Sequence, residues 1–424
     1  MLRFAPSPTG DMHIGDLRVA LLNYIVSKQR NEDFIVRIED TDKEKNIEGK
    51  DNEILDILGV FGIEYSQVIH QSQNIRFHTA MALQLIHEKK AFSCFCSDNW
   101  LENKRNEAKE ANKPYSYDDA CRDLHPELVI DNTSPFSIRI KRPDETLTIN
   151  DLIKGDVCFY SDMIDSFVIM NQDKTPTYNF SCAVDDMLND ISIVIRDEKH
   201  INNTPKQEHI RNSLDYDKKV EYAHIPAVID TKEGTSIKGL LEAGYLPQAI
   251  ANYLIAIGNE TPQEVFKIEN AVEWFDLSKF SKSSIRFDID ALKHINVEHL
   301  KAMDAKELSR YVGFADEEIG ELARIYLEEV GTTKELKSKI APIFSQRDIP
   351  QEFKEQTAVM VETIKSAPYF DKYDDFKAYI IKESGLEGEE FLRALRLLLT
   401  NAEVGPDIAE IYKYLKNYIG EIVK

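Results

Sequence analysis

Two groups of residues in this 424-residue chain have the types and spacing to do chemistry. The first is N-terminal: Arg3-Phe4-Ala5-Pro6-Ser7-Pro8-Thr9-Gly10-Asp11-Met12-His13-Ile14-Gly15-Asp16. It reads as a short strand, a proline-stiffened turn and a helix start carrying His13 and Gly15. A helix N-terminus presents free N–H groups and the positive end of its dipole, both suited to phosphate. Gly15 allows close backbone approach, and His13 can donate to a phosphate oxygen. A bare His-x-Gly is commonly an ordinary strand–helix turn, so the weight rests on the whole string. The second group is Cys94-Phe95-Cys96, followed by Tyr117, Cys121 and His125. Cys-x-Cys with a third Cys 25 residues later can close a structural, tetrahedral zinc site. Tyr117, four before Cys121, and His125, four after it, both qualify as the fourth ligand. The bland alternative is a set of reduced thiols in a partly buried hairpin. Five cysteines, an odd number at low density, are not a disulfide framework.

The elements that must position these groups follow from periodicity. Ile14–Val26 carries Leu17, Ala20, Leu21, Tyr24 and Ile25 at helical spacing. Phe34–Ile38 reads as a buried parallel strand, and Asn52–Phe61 as a helix stopped by Gly62. Strand, glycine turn, helix, strand opens a doubly wound α/β fold. Residues 78–115 look helical. Strand character follows at Ser137–Ile140, Leu147–Ile149, Val157–Tyr160 and Phe167–Met170. A helix over 178–188, a strand at Ile191–Ile195 and a helix at Pro205–Leu214 then resume the α/β pattern, as an insertion within one domain would produce. From about residue 236 the pattern is helical, with helices expected at Val297–Leu308, Glu317–Glu329, Ala358–Ile364 and Gly388–Leu399.

The N-terminal string closely resembles the start of a bacterial class I glutamyl-tRNA synthetase, whose HIGH-type sequence is here His13-Ile14-Gly15-Asp16. Further matches follow in family order: Arg37-Ile38-Glu39-Asp40-Thr41-Asp42, Thr175-Pro176-Thr177-Tyr178-Asn179-Phe180, Val184-Asp185-Asp186, Ile195-Arg196, Asn203-Thr204-Pro205-Lys206-Gln207 and Gly244-Tyr245-Leu246-Pro247. The resemblance implies a Rossmann-type catalytic domain (1–85 and 175–235), an inserted α+β domain binding the acceptor arm (86–174), and all-α stem-contact (236–305) and anticodon-binding (306–424) domains. It implies ATP with Mg²⁺, L-glutamate and tRNA as substrates. Arg3 and Arg196 would hold glutamate, since a guanidinium makes a bidentate pair with a carboxylate. Glu39 would receive the α-ammonium, with Ala5, Ser7 and Tyr178 at other pocket positions. His13 and Gly15 would act on ATP, with Glu198 nearby. The string Arg196-Asp197-Glu198-Lys199-His200 departs from the family's RGEDH, which bears on the ATP contacts.

A second family signature, the lysine-bearing KMSKS loop, is not found. Its flanks are present in Ile225 to Ile237, and about seven to ten residues fewer lie between Asp230 and Gly234 than the family pattern has. Either further loop residues exist outside the chain as numbered, which is the expectation, or the loop is deleted. Lys232 is at most its edge. The helical tail disfavours both the short paralogue that glutamylates a tRNA base and glutaminyl-tRNA synthetases, which end in β-barrels. A non-catalytic tRNA-binding protein is the rival from another class.

Composition bounds the rest. Length suggests about two to four domains, and 42% hydrophobic residues supply full cores. There is no run of apolar residues long enough for a membrane span, and no signal-peptide pattern. A cytoplasmic monomer without DNA or membrane partners is expected. The net charge of −22 taken alone argues against a nucleic-acid partner. Residues 134–142, with Arg139, Lys141 and Arg142 and no acid, are expected to supply a basic path for the acceptor arm, while the acid-rich stretch 311–330 would face away from tRNA.

Overall fold

A computed structural model describes residues 1–229 and 235–423. It separates into two compact units. The first comprises Met1–Lys238, Leu254–Pro262 and Phe266–Phe287, and the second Gly239–Tyr253, Gln263–Val265 and Asp288–Lys424.

The first unit begins β1 (Leu2–Phe4), α1 (Ile14–Arg30), β2 (Phe34–Ile38), α2 (Lys50–Val60), β3 (Gln67–His70) and α3 (Ile75–His87). Strands β1, β2 and β3 pair in parallel, with Arg3 opposite Ile35 and Val36 opposite Val68. β2 is buried along its whole length, as a strand covered by helices on both faces must be. The chain then runs through β4 (Ala91–Cys94), α4 (Asp98–Glu110), α5 (Pro126–Ile130), β5 (Ser137–Ile140), β6 (Leu147–Asp151), β7 (Gly155–Phe159) and β8 (Val168–Met170). It returns with α6 (Tyr178–Leu188), β9 (Ile193–Asp197), α7 (Thr204–Ser213) and β10 (Glu221–Ile225). β9 and β10 are parallel, and the Ser192 N–H donates to Met1 O at 3.0 Å, which lays β9 beside β1. The order β3-β2-β1-β9-β10 is the doubly wound arrangement, with the first strand's C-terminal end at its centre. Hairpin β6–β7 extends this sheet, since β6 pairs with β10 in parallel. β4, β5 and β8 form a separate antiparallel sheet.

Residues 78–115 are not one helical stretch. Lys89 adopts a left-handed conformation (φ 59°) that ends α3, and Ala91–Cys94 then pairs antiparallel with β5. Cys94 therefore sits on a strand. α4 restarts from Ser97, whose hydroxyl accepts from the Trp100 N–H. β3 was also not anticipated, because Gln67–His70 is only half-buried and has no apolar run.

The second unit is helical, and among its described residues no strand occurs beyond 287. Its core gathers residues such as Leu308, Leu322, Leu336, Met360, Phe376, Leu395 and Ile411. The single helix expected over Val297–Leu308 is two, Ile289–Ala302 and Ala305–Tyr311. Asp304 breaks it by accepting from the Glu307 N–H at 2.9 Å, so the second helix has its own N-cap. Helices Glu317–Ile325, Lys354–Lys365 and Gly388–Thr400 lie where periodicity placed them.

Candidate active site and thiol cluster

The turn after β1 is built by its prolines and backbone. Glu39 N–H donates to Pro6 O and Ile47 N–H to Pro8 O, both at 2.9 Å. His13 is the N-cap of α1, and Asp16 closes the helix end by accepting from the His13 N–H at 3.1 Å. The fourth position of the HIGH-type string thus has a capping role. Beyond the undescribed stretch, Ile237 N–H donates to Met12 O at 2.9 Å, which seats residues 235–237 against the same turn. A cavity of ≈ 420 Å³ opens here, with Ala5, Ser7, His13, Glu39, Tyr178 and His200 in its wall. Five of the residues expected to meet substrate are thus brought together. Gly15 lies in the first turn of α1, with open space where a side chain would project.

Arg3 and Arg196 lie buried behind this wall, 4% and 6% exposed. Their surroundings differ. Arg3 Nε donates to Asp186 at 3.1 Å, and Arg37 donates to the same carboxylate at 2.5 Å. Arg37 also reaches Glu39 at 3.3 Å, and the Cys182 thiol donates to Glu39 at 3.1 Å. Asp186 is fully buried, and although burial opposes its charge, Arg3 and Arg37 hold its carboxyl well below the usual range. Arg196 has only neutral partners: Gln207 Oε1 at 2.9 Å, Thr204 Oγ1 at 2.7 Å and His224 Nε2 at 3.2 Å. No carboxylate among the described residues pairs with it. Burial accordingly pulls its pKa down to about 10. Three of its five N–H groups are engaged, leaving two for a ligand. A buried cation without a counter-ion is expensive unless an anion arrives.

His200 Nδ1 lies 3.3 Å from Tyr178 Oη. Burial, then the charges of Arg196 and Lys199, push His200 down to about 4, so it is neutral near pH 7. Glu198 points elsewhere. It takes Lys154 Nζ at 2.5 Å, the Ala227 N–H at 2.9 Å and the Ser284 hydroxyl at 2.8 Å, and it does not line the cavity. Lys232, and the stretch expected to hold the lysine loop, lie outside the described residues. Sequence reasoning missed Thr204, Gln207, His224 and Asp151 as partners around Arg196. Thr204 and Gln207 stood in a matched string, but His224 and Asp151 are 73 residues apart, with no local signal.

The Sγ atoms of Cys94, Cys96 and Cys121 all lie within 4.8 Å of one another. Cys96 and Cys121 are 3.5 Å apart, and Tyr117 Oη is 3.4 Å from both Cys94 and Cys96. Tetrahedral zinc at about 2.3 Å from each sulfur would set sulfurs about 3.8 Å apart, so the donor set fits that ion. Of the two candidates for a fourth ligand, Tyr117 is at the cluster. His125 is not, for its side chain is 67% exposed and nearest Glu127. Burial opposes a Cys94 thiolate, yet hydrogen bonds from Tyr117 and Arg139 draw it down to about 7.

Two of the three cations in the basic stretch 134–142 are engaged within the fold. Arg139 is 5% exposed, donates to Cys94 Sγ at 3.3 Å and stacks 3.8 Å over the Tyr117 ring. Arg142 pairs with Asp119 at 2.9 Å and donates to Tyr117 O. These cations brace the thiol cluster because β5 is the central strand of its sheet.

Comparison with known proteins gives this geometry a family. The pattern for the class I tRNA synthetases (E and Q), catalytic domain, matches residues 1–294. "Glutamate--tRNA ligase 2" of Sulfurimonas denitrificans is 62% identical across all of both chains, and "Glutamate--tRNA ligase 1" of Nitratiruptor sp. is 48% identical across all of both. A crystal structure of a glutamate tRNA ligase from Elizabethkingia meningosepticum in complex with its amino acid superposes with TM-score 0.83 at 24% identity, covering 99% of this chain and 97% of that one, which is a likeness of fold. By this match over residues 1–294 and these full-length identities, the chain belongs to the class I tRNA synthetases for glutamate and glutamine.

Proposed function

We propose that the chain is a glutamate–tRNA ligase acting in the cytoplasm. The observation that carries the substrate is Arg196: a buried guanidinium with neutral partners and two unengaged N–H groups, behind the cavity that His13 lines. A carboxylate completes it. Arg3 supplies a second cation, and Glu39, held by Arg37 and Cys182, faces the cavity as the acceptor for an ammonium.

In the first step an α-carboxylate oxygen of glutamate attacks the α-phosphorus of ATP, delivered with Mg²⁺. The P–O bond to pyrophosphate breaks and glutamyl-adenylate forms. In the second, a terminal ribose hydroxyl of tRNA attacks the acyl carbonyl and AMP leaves. The protein forms no covalent bond. Its contribution is position and charge: Arg196, Arg3 and Glu39 orient glutamate, and His13 with the α1 N-terminus meets phosphate. Orientation alone contributes up to about 7–11 kcal/mol in favourable cases. A larger cavity of ≈ 860 Å³ shares Ser7, Glu39 and Tyr178 with the first and gives the tRNA terminus room beside the acyl group. Cys94, Cys96, Cys121 and Tyr117 would hold a structural zinc, which would tie β4 to the loop before α5.

The test is tRNA-dependent pyrophosphate exchange with glutamate, followed by aminoacylation of tRNA-Glu and tRNA-Gln in parallel. Charging of tRNA-Glu is expected, and tRNA-Gln is the open second acceptor. No exchange in the presence of tRNA would favour a non-catalytic binder. Intact mass settles the loop between Ile229 and Thr235. A mass about a kilodalton above 48.7 kDa, beyond any tag, reveals additional loop residues.

A further inference from the structure

We propose that Asp151 and His224 are positioning residues that aim the Arg196 guanidinium at glutamate, an inference that rests on Arg196 as the substrate-binding cation. The three side chains come from three adjacent strands, β6, β10 and β9. His224 Nδ1 lies 2.6 Å from Asp151 Oδ2, and both side chains are 1% exposed. Asp151 is itself fixed by backbone. It accepts from the N–H groups of Ile153 (3.0 Å), Lys154 (2.8 Å) and His224 (3.0 Å). An acceptor so committed takes the His224 Nδ1 proton, which leaves Nε2 bare. Nε2 then accepts from Arg196 Nε at 3.2 Å and lies 3.0 Å from the Thr204 hydroxyl, which in turn accepts from Arg196 Nη2.

The tautomer decides the outcome. With the proton on Nε2, two donors would face each other across 3.2 Å, and Arg196 would swing away from its present fork. A doubly protonated ring would add a like charge beside Arg196 and Arg3. Burial first, then those two cations, opposes this, and the ring is held below its ordinary pKa despite Asp151. The Tyr222 ring lies parallel to that of His224, 8° apart in plane with centroids at 6.0 Å. The device presents a bidentate fork already oriented, so that less ordering remains when the carboxylate binds.

The experiment is a double-mutant cycle read by tRNA-dependent pyrophosphate exchange, with KM for glutamate, KM for ATP, kcat and melting temperature measured for each variant. His224→Leu is expected to raise the glutamate KM about tenfold, equivalent to roughly 1.4 kcal/mol, with the ATP KM within about twofold. Asp151→Asn is expected to match it, because an amide NH₂ at Oδ2 forces the other tautomer. His224→Gln is expected to restore the glutamate KM to within about threefold, since its carbonyl oxygen can stand where Nε2 stands. In an Arg196→Gln background His224→Leu should add less than about twofold, because residues acting through one another are not additive. The proposal is overturned if His224→Leu leaves the glutamate KM unchanged, if His224→Gln behaves like His224→Leu, or if the two penalties multiply. If Arg196→Gln alone leaves the glutamate KM unchanged, Arg196 is not the substrate cation and the substrate reading fails separately. Should His224→Leu melt well below the parent, the comparison of His224→Gln with Asp151→Asn carries the same test.

Discussion

Replacing Arg196 by glutamine removes one charge from the site while keeping a polar side chain of similar reach. The structure sets the size of the effect. Among the described residues Arg196 has three neutral hydrogen-bond partners and no carboxylate in contact, which leaves it open to the substrate's carboxylate. Removing one partner of a buried ion pair costs about 3–5 kcal/mol. At about 1.4 kcal/mol per tenfold, kcat/KM for glutamate should fall by roughly two to three and a half powers of ten. Gln207, Thr204 and His224 can still bond the amide, so the fold should survive and the ATP KM should change little. Glutamine as substrate tells the reverse story. With Arg196 set against the side-chain carboxylate, the neutral amide of glutamine cannot neutralise it, so the parent enzyme should discriminate strongly against glutamine, and Arg196→Gln should erode that ratio mainly by losing glutamate. The assay is pyrophosphate exchange with cognate tRNA and saturating ATP, with each amino acid titrated. A loss below about fivefold for glutamate would refute the reasoning, since truncating one partner of a buried hydrogen-bonded charge pair costs about 2–5 kcal/mol.

Three further outcomes are expected. Protein prepared without a tag or chelator should carry about one zinc per chain, lost in Cys121→Ser and retained in His125→Ala; metal analysis finding clearly substoichiometric zinc would end the zinc reading. Asp186→Asn should destabilise the first unit by about 3–5 kcal/mol in denaturant titration, because it takes the paired carboxylate from Arg3 and leaves Arg37 only Glu39. Stability should also fall as pH drops from about 6.5 to 4 through His200. The unfolded chain takes up that proton within this window, whereas the folded site, pushed down to about 4, does not. His200→Gln should flatten the slope of melting temperature against pH.

What could be read in advance was local. The α1 start, β2 and α6 lie where proline, glycine and apolar spacing placed them, since each is specified within about a dozen residues. One misplaced element was specified by a distant partner and another by a local cap. Cys94 is on a strand because β5, more than 40 residues later, pairs with it. The helix over 297–308 broke because Asp304 found a backbone N–H three residues on, an effect that apolar periodicity does not register. The same division runs through the site. His13, Glu39 and Tyr178 stood in recognisable strings and line one cavity. The Asp151–His224 pair that backs Arg196 joins two strands far apart in sequence, and the β6–β7 hairpin carrying Asp151 had been read as part of an insertion.

Part of the acidity behind the net charge of −22 has a structural use. Many of the acids do structural work inside the helical unit. Asp288, Asp304, Asp316 and Asp407 each cap a helix by accepting backbone N–H groups. Within the acidic stretch 311–330, Glu321 pairs with Arg324, Glu328 with Lys301 and Glu329 with Lys339. A unit made of many short helices needs many N-caps, and aspartate is among the best. The cations expected to form a path for RNA are similarly engaged, Arg139 under the thiol cluster and Arg142 on Asp119. These acids and arginines are committed within the fold, so a charged string in the sequence is not by itself a free charged surface. Among the described residues Arg196 is a buried guanidinium whose hydrogen-bond partners are all neutral, and its two unengaged N–H groups suit a small carboxylate.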